Sequence, residues 1–203
     1  MSEHRSEGRR AGREQRATAN SEPVTKPATS AARRVLVLGG ARSGKSAHAE
    51  ALLRGVPEVE YIATASRGAD DAEWAERVRR HRERRPPGWR TIETLDLAGV
   101  LGADGPAALL DSVTAWLAGA MDDAGFWNGD TAGLETALDG FVTAWSSSAR
   151  PIVAVSDEVG SGVVPDTASG RAFRDALGQL NQQLAASADE VWLVTAGIAR
   201  RLR

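Results

Sequence analysis

The sequence predicts an α/β fold with a mainly parallel sheet, and two observations carry that prediction. The run Gly39-Gly40-Ala41-Arg42-Ser43-Gly44-Lys45-Ser46 follows the apolar stretch Val35-Leu36-Val37-Leu38 and precedes the helical stretch Ala47 to Leu53. Strand, glycine-bounded loop and helix is the context of a phosphate-binding P-loop. Further strand-length apolar runs then alternate with helical patterns, which implies right-handed βαβ units.

In the loop, Gly39 and Gly44 let the backbone turn sharply and bring its N–H groups near phosphate oxygens. The helix that follows directs its unpaired N–H groups and dipole at the same anion. Lys45 supplies a mobile charge for β- and γ-phosphates, and the Ser46 hydroxyl is placed to ligand Mg²⁺. The chain has two lysines, Lys26 and Lys45, and otherwise uses arginine, so a compact ammonium at 45 is not a product of composition.

Before the loop, the first 32 or so of the 203 residues have almost no large apolar side chains. Residues 1–33 are expected to be a disordered extension and 34–203 the folded domain. Residues 1–34 hold eight basic and four acidic side chains, leaving −6 for the remainder. That acidic core argues against nucleic-acid binding; the tail reads as solvated, or as a weak polyanion-binding arm. No apolar run reaches the roughly 20 residues of a membrane span, and no apolar segment follows the N-terminal arginines as a signal peptide requires. With no cysteine, disulfides and cysteine-ligated metals are excluded, which suits a reducing cytoplasm.

After the loop, the first helix is expected to end near Arg54-Gly55, with Pro57 as a stop. Val59 to Thr64 reads as a second strand, and Thr64-Ala65-Ser66 falls at the carboxyl edge where open α/β sheets collect ligands. Asp70 to Arg85 reads as a charged helix ended by Pro86-Pro87-Gly88, and Trp89 to Glu93 as a short extended segment. Ala107-Ala108-Leu109-Leu110-Asp111 is a buried-strand run ended by a carboxylate. It is either a Walker-B-like pattern with Asp111 serving Mg²⁺, or an ordinary strand end with a helix-capping Asp. Ser112 to Met121 reads as a helix and Asp122 to Gly133 as a surface loop. Leu134, Leu138, Phe141, Val142 and Trp145 mark the buried stripe of another helix. Ile152 to Ser156 is a strand that runs into an expected site loop, Asp157 to Pro165, with two carboxylates and two glycines. A long helix follows from Thr167, with Val191 to Thr195 as the last strand.

Of three histidines, His4 lies in the tail and His48 in the first turns of the loop helix, where it either approaches a ligand or simply packs. His81 sits in Arg77-Val78-Arg79-Arg80-His81-Arg82-Glu83-Arg84-Arg85. It is either a nucleophile toward phosphorus, kept neutral by surrounding cations, or a partly buried residue of a solvated basic helix.

From about Arg34 to Arg203 the chain resembles the bifunctional adenosylcobinamide kinase/adenosylcobinamide-phosphate guanylyltransferases of cobalamin biosynthesis. The resemblance rests on the 39–46 loop, Tyr61-Ile62-Ala63-Thr64, His81 to Pro86 leading to Trp89, and Glu158-Val159-Gly160-x-Gly162-Val163-Val164-Pro165. Phe173-Arg174-Asp175 with Asn181-Gln182, and Ala188 to Val194 with Gly197-Ile198, complete it. It implies a three-layer, RecA-like P-loop fold in a cytoplasmic homo-oligomer, a trimer, with no nucleic-acid or membrane partner. It also implies two transferase activities: phosphorylation of adenosylcobinamide by a nucleoside triphosphate such as ATP, then transfer of GMP from GTP through a GMP–histidine intermediate. On this resemblance His81 and Lys45 are the catalytic residues. The nucleotide contacts are Gly39, Gly40, Ala41, Arg42, Ser43, Gly44, Lys45, Ser46, Thr64, Ala65, Ser66, Arg82, Glu83, Arg84, Arg85, Glu93 and Asp111, with Ser46 and Asp111 on Mg²⁺. Two departures stand out: Arg80 precedes His81 where some relatives have a second histidine, and Asp157 stands where the family commonly has Asn. The alternatives are a kinase-only P-loop enzyme and a nucleotide-binding regulatory protein without turnover.

Overall fold

The computed structural model describes residues 33–64, 85–129 and 131–203. The tail and the expected helix over 70–85 lie outside them, save Arg85, which is not helical.

The sheet follows from the apolar runs. Strands β1 (Arg34–Gly39), β2 (Val59–Ala63), β3 (Trp89–Glu93), β4 (Ala107–Asp111), β5 (Ile152–Asp157), β6 (Glu190–Thr195) and β7 (Ile198–Arg201) form one sheet in the order β3-β2-β4-β5-β1-β6-β7. Every pairing is parallel except β6 with β7. The central strands are apolar at nearly every position because both faces are covered. Alternate residues therefore divide between two cores. Leu36, Ile62, Leu110, Ile152 and Ala154 face one layer of helices, while Val35, Val37, Tyr61, Leu109, Val153 and Val155 face the other.

Helix α1 (Lys45–Leu52) lies on the second face through Ala49, with Leu53 just beyond it. The first face carries α2 (Leu97–Gly102), α3 (Val113–Asp123), α4 (Ala132–Ser147) and α5 (Ala168–Ser187). Three of these helices begin on a side-chain cap that satisfies an end N–H group. Asp96 accepts from Gly99 N, Ser112 from Ala115 N, and Thr167 from Gly170 N. The expected stripe of α4 is buried through Leu134, Phe141 and Trp145. Two buried indoles also find acceptors: Trp145 Nε1 donates to Leu184 O at 3.1 Å and Trp116 Nε1 to Leu95 O at 2.8 Å.

Two sequence expectations need correction, and one helix falls in a stretch to which the sequence reading assigned no element. Val191 to Thr195 is not the last strand, because β7 returns antiparallel through a turn with Ala196 at φ 51° and Gly197 at φ 80°. Two consecutive positive φ values make a tight hairpin, but alanine is not the Asn or Asp that advertises one. The segment between Glu93 and Ala107 contains α2, which is only six residues long and so shows little periodicity. The 122–133 loop is shorter than expected, since α3 runs to Asp123, Phe126–Asn128 forms a 3₁₀ turn and α4 starts at Ala132.

Two buried carboxylates fasten the ends of the sheet. Glu60 pairs with Arg150 at 2.7 Å and with Arg90. Glu190 accepts from Arg33, from Trp192 Nε1 at 3.0 Å, and pairs with Arg201 at 3.3 Å. Burial alone would raise both pKa values, but the arginine partners outweigh it and hold both carboxyls below the usual value. A depressed folded pKa gives stability that is present above the ordinary carboxylate pKa and lost as pH falls through the folded one. Glu60→Gln leaves the Arg150 guanidinium buried against a neutral partner and should cost about 3 kcal/mol at pH 7. The deficit should shrink in acid, where the wild-type carboxylate is itself protonated. Denaturant unfolding of both proteins at neutral and acid pH tests this; an equal deficit at both would contradict it.

Candidate functional site

The carboxyl ends of the parallel strands bring together residues that are far apart in the chain. In the sheet register Gly39 lies beside Asp157 on one side and Val194 on the other, while Asp111 lies beside Val155 and Ala63. Glu93 ends β3 in register with Ala63. One edge of the sheet therefore presents Gly39, Asp157, Asp111 and Glu93. This is the edge at which ligands of open α/β folds sit.

The 39–46 loop is built as a tight cup. A Cβ on Gly39 would lie 2.5 Å from Ser43 Oγ and 2.6 Å from Val194 O, so no side chain fits there. Arg42 has φ 54° and Gly44 φ 95°, successive reversals that close the loop before α1 begins at Lys45. Two main-chain bonds fix it from outside: Gly197 N donates to Ser43 O at 2.8 Å, and Glu158 N to Gly39 O at 3.2 Å. Such a turn leaves consecutive N–H groups for an anion. Ala41 and Arg42 at its rim are exposed, whereas Ser43 is buried and faces inward.

Lys45 is already engaged. Its Nζ lies 2.6 Å from Asp157 Oδ1 and donates to Gly40 O at 3.2 Å. Asp157 is itself clamped by its main chain, since its N–H donates to Thr114 Oγ1 at 2.9 Å and its carbonyl accepts from Asn181 Nδ2 at 3.0 Å. The neighbouring Glu158 turns the other way and accepts from Gly160 N and Ser161 N at 2.8 and 3.4 Å.

Asp111 has a partner that the sequence did not reveal. Tyr61 Oη donates to Asp111 Oδ2 at 2.7 Å. The Arg85 guanidinium stacks on the Tyr61 ring, 3.2 Å from its centroid, and donates to Thr91 Oγ1 at 3.0 Å. Burial pushes the Tyr61 phenol well above its ordinary value, the Asp111 charge adds to that, and Arg85 opposes it only in part. Burial also lowers the Arg85 pKa.

Among the expected ligands, the loop residues and Asp111 meet at one edge. The Thr64 side chain is committed elsewhere: its hydroxyl donates to Ser112 O at 2.6 Å and accepts from Ser112 N at 3.1 Å, tying β2 to the start of α3. Arg85 is likewise tied to Tyr61 and Thr91. Glu93 is exposed at its strand end. Ala65, Ser66, His81, Arg82, Glu83 and Arg84 lie outside the described residues. His48 packs its ring against Trp192 at 4.9 Å, and burial lowers its pKa. Sequence reasoning placed Asp157 in a site loop without naming it as the partner of Lys45, and it left out of the site Tyr61, the donor to Asp111. The only signals for them were the carboxylate pair of the 157–165 loop and a tyrosine beside the second strand's end.

The donor set fits Mg²⁺, which takes hard oxygen ligands and is commonly held by one or two carboxylates plus phosphates and water. Ser46 lies in the first turn of α1, and Asp111 keeps Oδ1 outside its bond to Tyr61. Among the described residues no group of three or more His, Asp or Glu gathers as an all-protein metal cage.

Fold and loop together define a P-loop α/β protein. A solved ATPase of the type III secretion system of pathogenic bacteria superimposes with a TM-score of 0.51 at 12% identity. That match covers 84% of this chain and 58% of the ATPase chain, a likeness of fold alone. Residues 35–202 match the family described as cobinamide kinase / cobinamide phosphate guanyltransferase. Two curated relatives share the name bifunctional adenosylcobalamin biosynthesis protein CobU. The Salmonella typhimurium protein is 42% identical and the Escherichia coli protein 41%, each match covering 83% of this chain and 99% of the relative. The Pseudomonas aeruginosa protein of the corresponding name, CobP, is 38% identical over 84% of this chain and 97% of its own length. The chain belongs to the cobinamide kinase/cobinamide phosphate guanyltransferase family.

Tyr61 is the chain's one tyrosine, so tyrosinate absorbance reads it alone. It should stay protonated through the ordinary pKa of 10.0 and ionise only as the protein unfolds in alkali. Ionisation near pH 10 in the folded protein would show that the buried contact with Asp111 is not made.

Proposed function

We propose that this chain performs both reactions of its family in sequence, phosphorylating the hydroxyl of adenosylcobinamide and then placing GMP on that phosphate. The observation that carries this reading is the convergence, at one sheet edge, of the 39–46 loop with its lysine and of Asp111 on its tyrosine donor.

In the first reaction the substrate hydroxyl oxygen bonds to the γ-phosphorus of a nucleoside triphosphate and gives up its proton to solvent. The bond from that phosphorus to the bridging oxygen breaks, and the nucleoside diphosphate leaves. Loop N–H groups hold the phosphates and Lys45 offsets the charge on the transferring group. Mg²⁺ on Ser46 and Asp111 would supply further neutralisation of the phosphate oxygens. Tyr61 keeps Asp111 in place.

In the second reaction an imidazole nitrogen of His81 bonds to the α-phosphorus of GTP and pyrophosphate leaves. The phosphate oxygen of adenosylcobinamide phosphate then displaces the histidine, giving adenosylcobinamide-GDP. Arg82 and Arg84 supply cationic partners for the phosphates. Support comes from Arg85, the described end of that segment, which is fastened to the tyrosine that holds Asp111. A cytoplasmic homotrimer, with residues 1–33 outside the catalytic domain, completes the reading. Among the described residues no helix is long and apolar enough to cross a membrane.

Lys45→Ala should lower the kinase rate by roughly 10²-fold or more. His81→Ala should lose GMP transfer while keeping substantial kinase activity. Incubation with GTP labelled at the α-phosphate should give acid-labile label on the peptide containing His81. Label on His48, or formation of adenosylcobinamide-GDP by His81→Ala, would overturn the assignment.

A further inference from the structure

The Lys45–Asp157 pair has a consequence for how nucleotide is admitted. Lys45 is the loop's mobile cation, and its Nζ is 2.6 Å from a carboxylate. That carboxylate is stationed rather than incidental. The register of β5 on β1 sets Asp157 opposite Gly39, and Thr114 and Asn181 hold its main chain on both sides. Both members are largely sheltered, with side chains 13% and 26% exposed. In such a site charge–charge terms are several times larger than in water.

We propose that Asp157 makes triphosphate binding conditional on a divalent cation, by holding Lys45 against any nucleotide that arrives without one. This deepens the reading of the 39–46 loop as a triphosphate site and rests on it. A metal-free triphosphate must draw Lys45 away from Asp157 and then lie beside the carboxylate it has left unpaired, a like-charge contact. A cation-bound triphosphate carries less negative charge into the same position, so that penalty is smaller. Asp157 thus discriminates by charge between two forms of one ligand, which is specificity through a repulsive element. Glu158, one residue on, is turned to Gly160 and Ser161 and has no contact with Lys45 among its hydrogen bonds.

The test is calorimetric titration of the full chain with GTP, once with excess Mg²⁺ and once with chelator. Asp157→Asn keeps the shape and the oxygen that accepts from Lys45 but removes the charge, and both main-chain clamps remain. It should bind metal-free GTP about 10-fold more tightly than wild type while changing the Mg²⁺ form by less than about 3-fold. Glu158→Gln, which removes an adjacent charge that Lys45 does not touch, should change the ratio of the two affinities by less than about 2-fold. Asp157→Ala should reproduce the Asn result. Unchanged or weaker metal-free binding in Asp157→Asn overturns the proposal. So does an equal gain from Glu158→Gln, which would mean that the general negative field and not the pair with Lys45 is responsible. If wild type binds neither form of GTP, the triphosphate reading of the loop fails as well; if it binds both and Asp157→Asn changes nothing, only the present inference fails.

Discussion

The structure depends on the absence of a side chain at Gly39. Strand β1 lies inside the parallel sheet, and its last residue is pressed between the ends of β5 and β6. The carbonyl of Val194 and the hydroxyl of Ser43 occupy the space a Cβ would need. That close approach lets the chain fold back at once into the turn through Arg42 and Gly44. It also places Ser43 O within reach of Gly197 N in the hairpin that joins β6 to β7. A larger residue at 39 would push the turn away from both neighbouring strands, separating the loop from the hairpin and from Asp157 together. The loop's shape is therefore a property of three strands rather than of its own eight residues.

Strand order determines which carboxylate serves which role. Because β5 lies between β1 and β4, the strand-end acid next to the loop is Asp157, and Asp111 stands one strand further out. The two acids are held differently. Asp157 is fixed through its main chain, which leaves its carboxylate to Lys45, whereas Asp111 is fixed through its carboxylate by Tyr61. A group positioned by its main chain can change side-chain partner without the backbone moving. A group positioned by a buried phenol keeps one oxygen fixed and presents the other. The first arrangement suits an exchange of partners at Lys45, and the second suits a steady ligand.

Much of the fold was legible because its signals are local. The apolar runs of β1, β4 and β5 are buried on both faces, so each stood out without periodicity, and the stripe of the sixteen-residue α4 repeated at helical spacing from Leu134 to Trp145. The phosphate loop was legible for the same reason, its residues being consecutive. What escaped was short or non-local. Helix α2 has six residues, and β7 is announced by Ala196-Gly197 rather than by a usual hairpin pair and leaves Ile198 exposed. The bonds from Asp157 to Lys45 and from Tyr61 to Asp111 exist only because of strand adjacency, which a sequence does not display. Thr64 shows the converse: its place at a strand end suggested a ligand, yet its hydroxyl is used to join two elements.

The central claim is that the loop closed over Gly39 receives a triphosphate to which Lys45 moves from Asp157. A crystal structure of the chain with Mg²⁺ and a non-hydrolysable GTP analogue tests it directly. The account predicts phosphate oxygens on the backbone N–H groups of residues 40–46. It also predicts Lys45 Nζ on those oxygens, with its 2.6 Å contact to Asp157 opened and the Tyr61–Asp111 bond retained. A nucleotide bound elsewhere, or bound in the loop with Lys45 still paired to Asp157, would contradict it.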